Sequence, residues 1–202
     1  MSGLPILIEG SAVRVLLVGG GTVASRKAAV LLEAGAHIRV VAPVIAAALR
    51  AMAATGRVEL VERPYERGDV GDAQLVVAAT DDRAVNAAVL ADAQAASRLV
   101  NVADAPADGS FWTMATHRAG ELVVGVSAGG VPGAAARIRD AIAARFDGRY
   151  ARALADLAAV RRVLLDRGEG DAWRRRATET FGAGFCDGVE AGTLTDKVAS
   201  WR

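Results

Sequence analysis

The sequence predicts an α/β chain in which a doubly wound parallel sheet is followed by a smaller helical part. Three observations carry this. Short apolar runs alternate with helix-spaced segments over the first hundred residues, a Gly19-Gly20-Gly21 turn closes the first such run, and the pattern changes after Asp104. Apolar runs of this kind are buried on both faces, as in a parallel sheet. Right-handed crossovers between them then place helices on both sides.

Residues 13–18 form the first run. Residues 23–33 have helical spacing through Val23, Ala24, Lys27, Leu31 and Leu32, and stop at Gly35. Residues 37–42 are a second run broken by Pro43, and 46–55 read as a helix closed by Gly56. Strands follow at 58–61, 75–79 and 99–103, with a helix at 82–96 between the last two. Residues 4–8 read as an extra edge strand. Beyond Asp104, residues 111–116 and 122–127 read as strands around an Arg118-Ala119-Gly120-Glu121 turn. Segments 133–146, 150–166 and 171–180 read as helices, and the tail from Gly182 is polar and glycine-containing.

The chain has 202 residues, room for one full domain and a smaller appendage. A boundary near residue 112 leaves a second part too small to bury a good core alone, so its Ala/Ile/Leu-rich helices are expected to pack against a partner subunit. An apolar fraction of 52% with 23% charged residues argues against disorder. The alanine-heavy, aromatic-poor composition means that small side chains fill much of the core. A formal net charge of +1 gives no electrostatic case for nucleic acid or an anionic membrane. No run approaches the roughly 18 apolar residues of a membrane span. The opening MSGLPILIEG lacks a basic region before its apolar stretch and does not read as a signal peptide. The one cysteine, Cys186, can form no intramolecular disulfide and has no nearby activating group. A cytoplasmic protein is expected.

Gly19-Gly20-Gly21-Thr22-Val23-Ala24 fits the G-x-G-x-x-G/A pattern between a strand and a helix, the context the motif requires. Gly19 allows the tight turn, Gly21 lets the backbone approach a pyrophosphate, and Ala24 keeps the helix close to the sheet. The N–H groups of Thr22 and Val23 then face the phosphates, aided by the helix dipole. A dinucleotide is the expected cofactor. The acidic residue usual about 20 residues on is absent, so the backbone at Pro43 and Val44 is expected to line the adenosine. No Arg at that strand tip meets a 2′-phosphate, which points to NAD.

Leu4-Pro5, Val18 to Lys27, Leu31-Leu32-Glu33-Ala34-Gly35-Ala36, Val41-Ala42-Pro43, Ala78-Ala79-Thr80-Asp81-Asp82 with Asn86, and Asn101-Val102-Ala103-Asp104 occur in that order. This ordered set resembles the precorrin-2 dehydrogenase family, whose members include the N-terminal module of siroheme synthase and the fungal bifunctional dehydrogenase/ferrochelatase. The likeness covers roughly residues 4–165. It implies a Rossmann-like NAD-binding domain (1–112), a small dimerisation region (113–147) and a helical C-terminal domain with tail (148–202), in a homodimer with active sites near the dimer interface. The implied activity is oxidation of precorrin-2 to sirohydrochlorin, with Fe2+ insertion as a further family activity. The methyltransferase domain of full-length siroheme synthases does not follow in this sequence.

Asp104 ends the strand 99–103 before Ala105-Pro106. By spacing alone, an Asp there reads as an Asx turn. The resemblance places the family's catalytic Asp at this position, and a carboxylate suits proton removal while a nicotinamide takes the hydride. The same carboxylate suits pyrrole protons and an oxygen ligand for Fe2+. Thr80 lies at the carboxyl edge of the sheet, where ligands of open α/β folds bind, and by resemblance faces the nicotinamide half. Asp81 or Asp82 reads as a helix cap, and Asn86 as local structure. His117 reads as a surface residue and His37 as structural. Arg174-Arg175-Arg176 reads as a solvated face, although precorrin-2 carries eight carboxylates.

The loop from Val126 to Pro132 matches a Ser/Thr-rich family loop, but Ala128 and Val131 stand where the family carries hydroxyls. Met114-Ala115 stands where it has Pro-Ala or Pro-Ser. These departures weigh against Fe2+ insertion and leave the dehydrogenase set intact. Ser127 and Arg137 are the expected substrate contacts. The competing class is a non-catalytic Rossmann-type dinucleotide-sensing module, which relies on the missing acidic residue and needs no carboxylate at Asp104.

Overall fold

The computed structural model describes residues 3–201, and these divide after Thr113 into two compact units. The first unit is built on five parallel strands: β1 (Arg14–Val18), β2 (His37–Val41), β3 (Val58–Val61), β4 (Leu75–Ala78) and β5 (Leu99–Val102), in the spatial order β3-β2-β1-β4-β5. The order reverses between β1 and β4, which pair from Val15↔Leu75 to Val18↔Ala78. A reversal of this kind opens a crevice at the carboxyl ends of the two strands, where ligands of such sheets bind.

Both faces of the sheet are dry. Strand side chains alternate between them with period two. One face carries Val15, Leu17, Ile38, Val40 and Val77, and packs on α1 (Thr22–Glu33) and α2 (Ala47–Ala53) through Ala24, Ala28, Leu31 and Leu49. The other carries Leu16, Val18, Val41, Val76, Val100 and Val102, and packs on α3 (Arg83–Ala95) through Val89 and Ala93. The alanines at 24, 28 and 93 let helices sit close to a valine-rich sheet.

Residues 4–8 form no strand. Leu4, Ile6 and Leu7 are exposed, and the segment runs into a short 3-10 turn at Gly10–Ala12. Both sides of β1 are already paired with β2 and β4, so a segment leading directly into β1 has no open edge beside it. Its period-two apolar pattern therefore misleads.

The second unit begins with a hairpin, β6 (Ala115–Ala119) and β7 (Leu122–Val126), whose register Ala119↔Leu122 leaves a two-residue turn. Gly120 takes φ 59° at its first position, where glycine has no steric cost. The first strand thus lies about four residues later than the sequence suggests, and His117 falls within it. α4 (Pro132–Arg145) starts on a proline whose missing N–H costs nothing there and packs on the hairpin, burying Ala135.

α5 (Gly148–Asp166), capped by the Asp147 carboxylate, buries Tyr150, Ala153, Leu157, Val160 and Leu164. Around it lie α6 (Gly170–Thr180), α7 (Phe185–Glu190) and α8 (Thr193–Ala199). Val189, Leu194, Val198 and Trp201 close a core on the α5 stripe. The tail that reads as polar is thus two short helices that complete a core, and this unit buries apolar side chains of its own. Helices of six and seven residues are too short to display a period. Arg176 donates to the Trp201 carbonyl at 3.0 Å, and Arg174 pairs with Asp171, so two of the three clustered arginines have local partners.

Of the two acidic residues before α3, Asp82 is the cap. Its Oδ1 accepts from the Ala84 and Val85 N–H groups at 2.8 and 3.3 Å. Asp82→Ala is expected to lower stability by about 1 kcal/mol and Asp81→Ala by less than about 0.5 kcal/mol, measured by urea unfolding. Equal losses would contradict the assignment.

Candidate functional site

The glycine turn is shaped by what surrounds it. Gly19 has φ 128°, and a Cβ there would lie 2.3 Å from the Ala79 carbonyl oxygen. A Cβ on Gly20 would lie 1.9 Å from the Val44 carbonyl oxygen. These two positions are glycine because the chain after β4 and the chain after β2 press against them. The contacts are fastened by Gly19 N–H donating to Val41 O at 3.0 Å and by Ala46 N–H donating to Gly20 O at 2.9 Å. Gly21 differs, since a Cβ there meets nothing within 4 Å. It is the N-cap of α1 and supplies no capping side chain, so the first N–H groups of that helix, Thr22 and Val23 among them, face outward. Exposed N–H groups and a helix N-terminus without a capping side chain fit a pyrophosphate. Pro43 and Val44 are exposed at the end of β2, beside Gly20, and offer backbone to an adenosine.

The second half of the site is knotted around Asn86. This residue sits on the buried stripe of α3 and is 2% exposed. Its Nδ2 donates to the Thr80 carbonyl at 3.0 Å and to Asp104 Oδ1 at 2.8 Å. Its Oδ1 accepts from the Thr80 N–H at 3.2 Å and from the Thr80 hydroxyl at 2.8 Å. Both amide donors and the amide oxygen thereby have partners, and the single Thr80 hydroxyl proton is shared between Asn86 Oδ1 and the Asp82 carbonyl at 2.9 Å. Thr80 in turn accepts the Asp82 N–H on its hydroxyl at 3.2 Å, which fixes the start of α3. Asp104 lies two residues beyond β5, with its side chain about a third exposed. Its Oδ2 is 3.9 Å from Arg83 Nε, but Arg83 is almost fully exposed and adds little. An open cleft lies against Asp104, lined by Arg83, Asn86, Leu90, Val102 and Asp108. The Asp104 carboxylate thus accepts the Asn86 amide on Oδ1, and Asp104 lines the cleft.

On the opposite sheet face, Lys27 Nζ donates to Asn101 Oδ1 at 2.5 Å, and Asn101 Nδ2 donates to the Phe111 carbonyl at 2.9 Å. Burial holds the Lys27 ammonium below the usual lysine range, and the nearby Arg26 adds to this. His117 is half-buried, with Nε2 2.6 Å from the Phe146 carbonyl that ends α4. That contact ties the strand to the helix end, so His117 is not the free surface residue its sequence position suggests.

Gly19, Gly21, Thr22 and Val23 therefore stand together, with Pro43 and Val44 against the turn, and Thr80 and Asp104 share one buried partner. Ser127 and Arg137 are exposed in the second unit, on the loop after β7 and on α4. Asn86 is the residue that sequence reasoning undervalued. The signal was present, since residues 86, 89 and 93 share one helical face and an amide on an otherwise apolar stripe needs partners.

A parallel sheet with a glycine turn at its switch point and a carboxylate two strands away defines a nicotinamide-dinucleotide-binding α/β protein. Residues 6–115 match the family model described as putative NAD(P)-binding, and the chain belongs to that family. The siroheme synthase of Pseudomonas entomophila is 40% identical over 198 residues, covering 98% of this chain and 41% of that protein. The siroheme synthase of Pseudomonas aeruginosa PAO1 is 46% identical over 130 residues, 64% of this chain and 28% of its own length. The chain spans about two-fifths of the length of the first of these relatives. Among solved structures, SirC, a precorrin-2 dehydrogenase, matches with a TM-score of 0.77 and 26% identity over 98% of this chain and 100% of that one.

The open space at Gly21 gives a clean test of the cofactor site. Gly21→Asp is expected to fold like the parent, because its Cβ meets nothing. It is expected to weaken NAD binding by at least about 100-fold through bulk and like charge at the pyrophosphate. Unchanged affinity by titration calorimetry would place the cofactor elsewhere.

Proposed function

We propose that this chain is an NAD-dependent precorrin-2 dehydrogenase that oxidises precorrin-2 to sirohydrochlorin in siroheme or corrinoid synthesis. The observation that carries the reading is the Asp104 carboxylate, held on a buried amide at the carboxyl edge of the same sheet that presents the glycine turn. Support comes from the full-length likeness to a precorrin-2 dehydrogenase structure and from the siroheme synthase relatives. A dinucleotide-sensing module would need no carboxylate fixed in this way.

The oxidation removes a hydride from a ring carbon and a proton from the macrocycle. NAD, when bound, would supply the hydride-accepting chemistry, and the Thr22 and Val23 N–H groups, the backbone at Pro43 and Val44, and Thr80 would hold it. Asp104 accepts the proton on a carboxylate oxygen. Ser127 and Arg137 contact the carboxylate-rich substrate, Arg137 as a charge-matched partner. Fe2+ insertion would draw on the same carboxylate, with Fe2+ as substrate; the loss of hydroxyls at Ala128 and Val131 weighs against it. A homodimer belongs to the same proposal, supported by Val131 and Ile138, which leave apolar surface open at α4.

Anaerobic incubation with precorrin-2 and NAD is expected to give sirohydrochlorin absorbance and NADH in equal amounts. Asp104→Ala is expected to retain NAD affinity and lose about 10²–10⁴-fold in kcat, the usual worth of a positioned base. No turnover by the parent would overturn the reading, and full turnover by Asp104→Ala would remove the base from it. Adding Fe2+ to the same assay reads chelation.

A further inference from the structure

We infer that Asn86 is a positioning residue for the dehydrogenation, holding Asp104 by Oδ1 so that Oδ2 is the oxygen that takes the substrate proton. The inference rests on the reading of Asp104 as the base. Four geometric facts support it. The amide is 2% exposed, so water does not compete for it. It donates to Asp104 Oδ1 at 2.8 Å. Its second donor and its oxygen are engaged by Thr80, at 3.0 Å to the carbonyl and at 3.2 and 2.8 Å from the N–H and hydroxyl. Asp104 Oδ2 has beside it only the Arg83 guanidinium, at 3.9 Å and almost fully exposed, among the contacts described for it.

These contacts allow one amide orientation. Reversed, the amide would set its oxygen against a carboxylate oxygen and its NH2 against the Thr80 N–H, leaving like groups facing each other. A buried group so placed turns only by orphaning several partners at once. One Asp104 oxygen is therefore engaged by the amide, and the other has only the exposed Arg83 guanidinium near it among the contacts of the described residues. The cleft beside it is lined by Arg83 and Asp108 as its charged groups, with Leu90, Ala87 and Ala105 as apolar wall. Oδ2 is the oxygen left for a bound macrocycle. Preorganising a base in this way spares the reorientation that an untethered carboxylate must undergo in each turnover.

A purely structural role for Asn86, tying the end of β4 to α3 through Thr80, is separable from this one. Asn86→Asp keeps the size of the side chain and an acceptor for the Thr80 N–H and hydroxyl, while replacing the donor that faces Asp104. Asn86→Ser removes the amide, leaving a shorter side chain with one hydroxyl, without adding charge. The experiment is a double-mutant cycle on the full chain: parent, Asn86→Asp, Asn86→Ser, Asp104→Ala and the two combinations. It reads kcat and KM with precorrin-2 and NAD, NAD affinity by calorimetry, and the melting temperature of each. Both Asn86 variants are expected to lose about 10–100-fold in kcat while NAD affinity stays within about threefold, and neither is expected to lose more kcat once Asp104 is alanine. If Asn86→Asp fails to fold, its melt shows it and Asn86→Ser carries the cycle. A parent that forms no NADH overturns the Asp104 reading and this inference with it. A parent that turns over overturns this inference alone if the Asn86 variants keep their kcat, if their losses multiply with that of Asp104→Ala, or if NAD affinity falls in step with kcat.

Discussion

The amide of Asn86 is the constraint on which the site depends. It is buried, fully satisfied, and bonded to two other segments, the end of β4 through Thr80 and the turn after β5 through Asp104. The end of β4 is also where the glycine turn leans, since Gly19 lies against the Ala79 carbonyl. One frame therefore runs from the glycine turn through Ala79 and Thr80 to Asn86 and on to the carboxylate. Loosening the amide would leave a carbonyl, an N–H and a carboxylate oxygen seeking partners, at about 1–3 kcal/mol for each group left buried and unsatisfied. The position tolerates little because its contacts are all internal, at 2.8–3.2 Å.

The two halves of the site use different chemistry. For the dinucleotide, the proposed function relies on backbone: N–H groups at a helix start, glycines where other segments press close, and Pro43 and Val44 in place of an acidic residue. Backbone suits a cofactor shared by many enzymes, because it binds phosphate and ribose without committing a titratable group. For the proton, the proposed function assigns one side chain, Asp104, and the Asn86 amide bonded to it is a neutral partner. The neighbouring Arg83 is too exposed to do this, since water screens it and its long side chain is unrestrained. The sheet joins the halves by setting β1, β4 and β5 side by side in parallel register, so that their carboxyl ends share one edge.

The parallel sheet and the glycine turn were legible in the sequence because both have local signatures, apolar runs of strand length and a fixed glycine spacing between strand and helix. Asp104 was legible as a carboxylate at a strand end, and only the resemblance separated it from a turn residue. The role of Asn86 was not legible, because it depends on Asn86 meeting Asp104, 18 positions further along the chain. Residues 4–8 misled because alternation describes a strand only where an edge is free to pair. The helices after Gly182 were hidden for the opposite reason. Val189, Leu194, Val198 and Trp201 are too sparse to show a period, and only the stripe on α5, at 150, 153, 157, 160 and 164, shows what they cover.

The most direct measurement of the central constraint is nuclear magnetic resonance of the Asn86 side-chain amide. In the free protein both of its protons are expected to exchange with water far more slowly than those of exposed asparagines, as for buried, hydrogen-bonded groups. In Asp104→Ala one proton is expected to shift and exchange faster while the other, held by the Thr80 carbonyl, is retained. Exchange of both protons at the rate of an exposed amide in the parent, or no response to Asp104→Ala, would contradict the account.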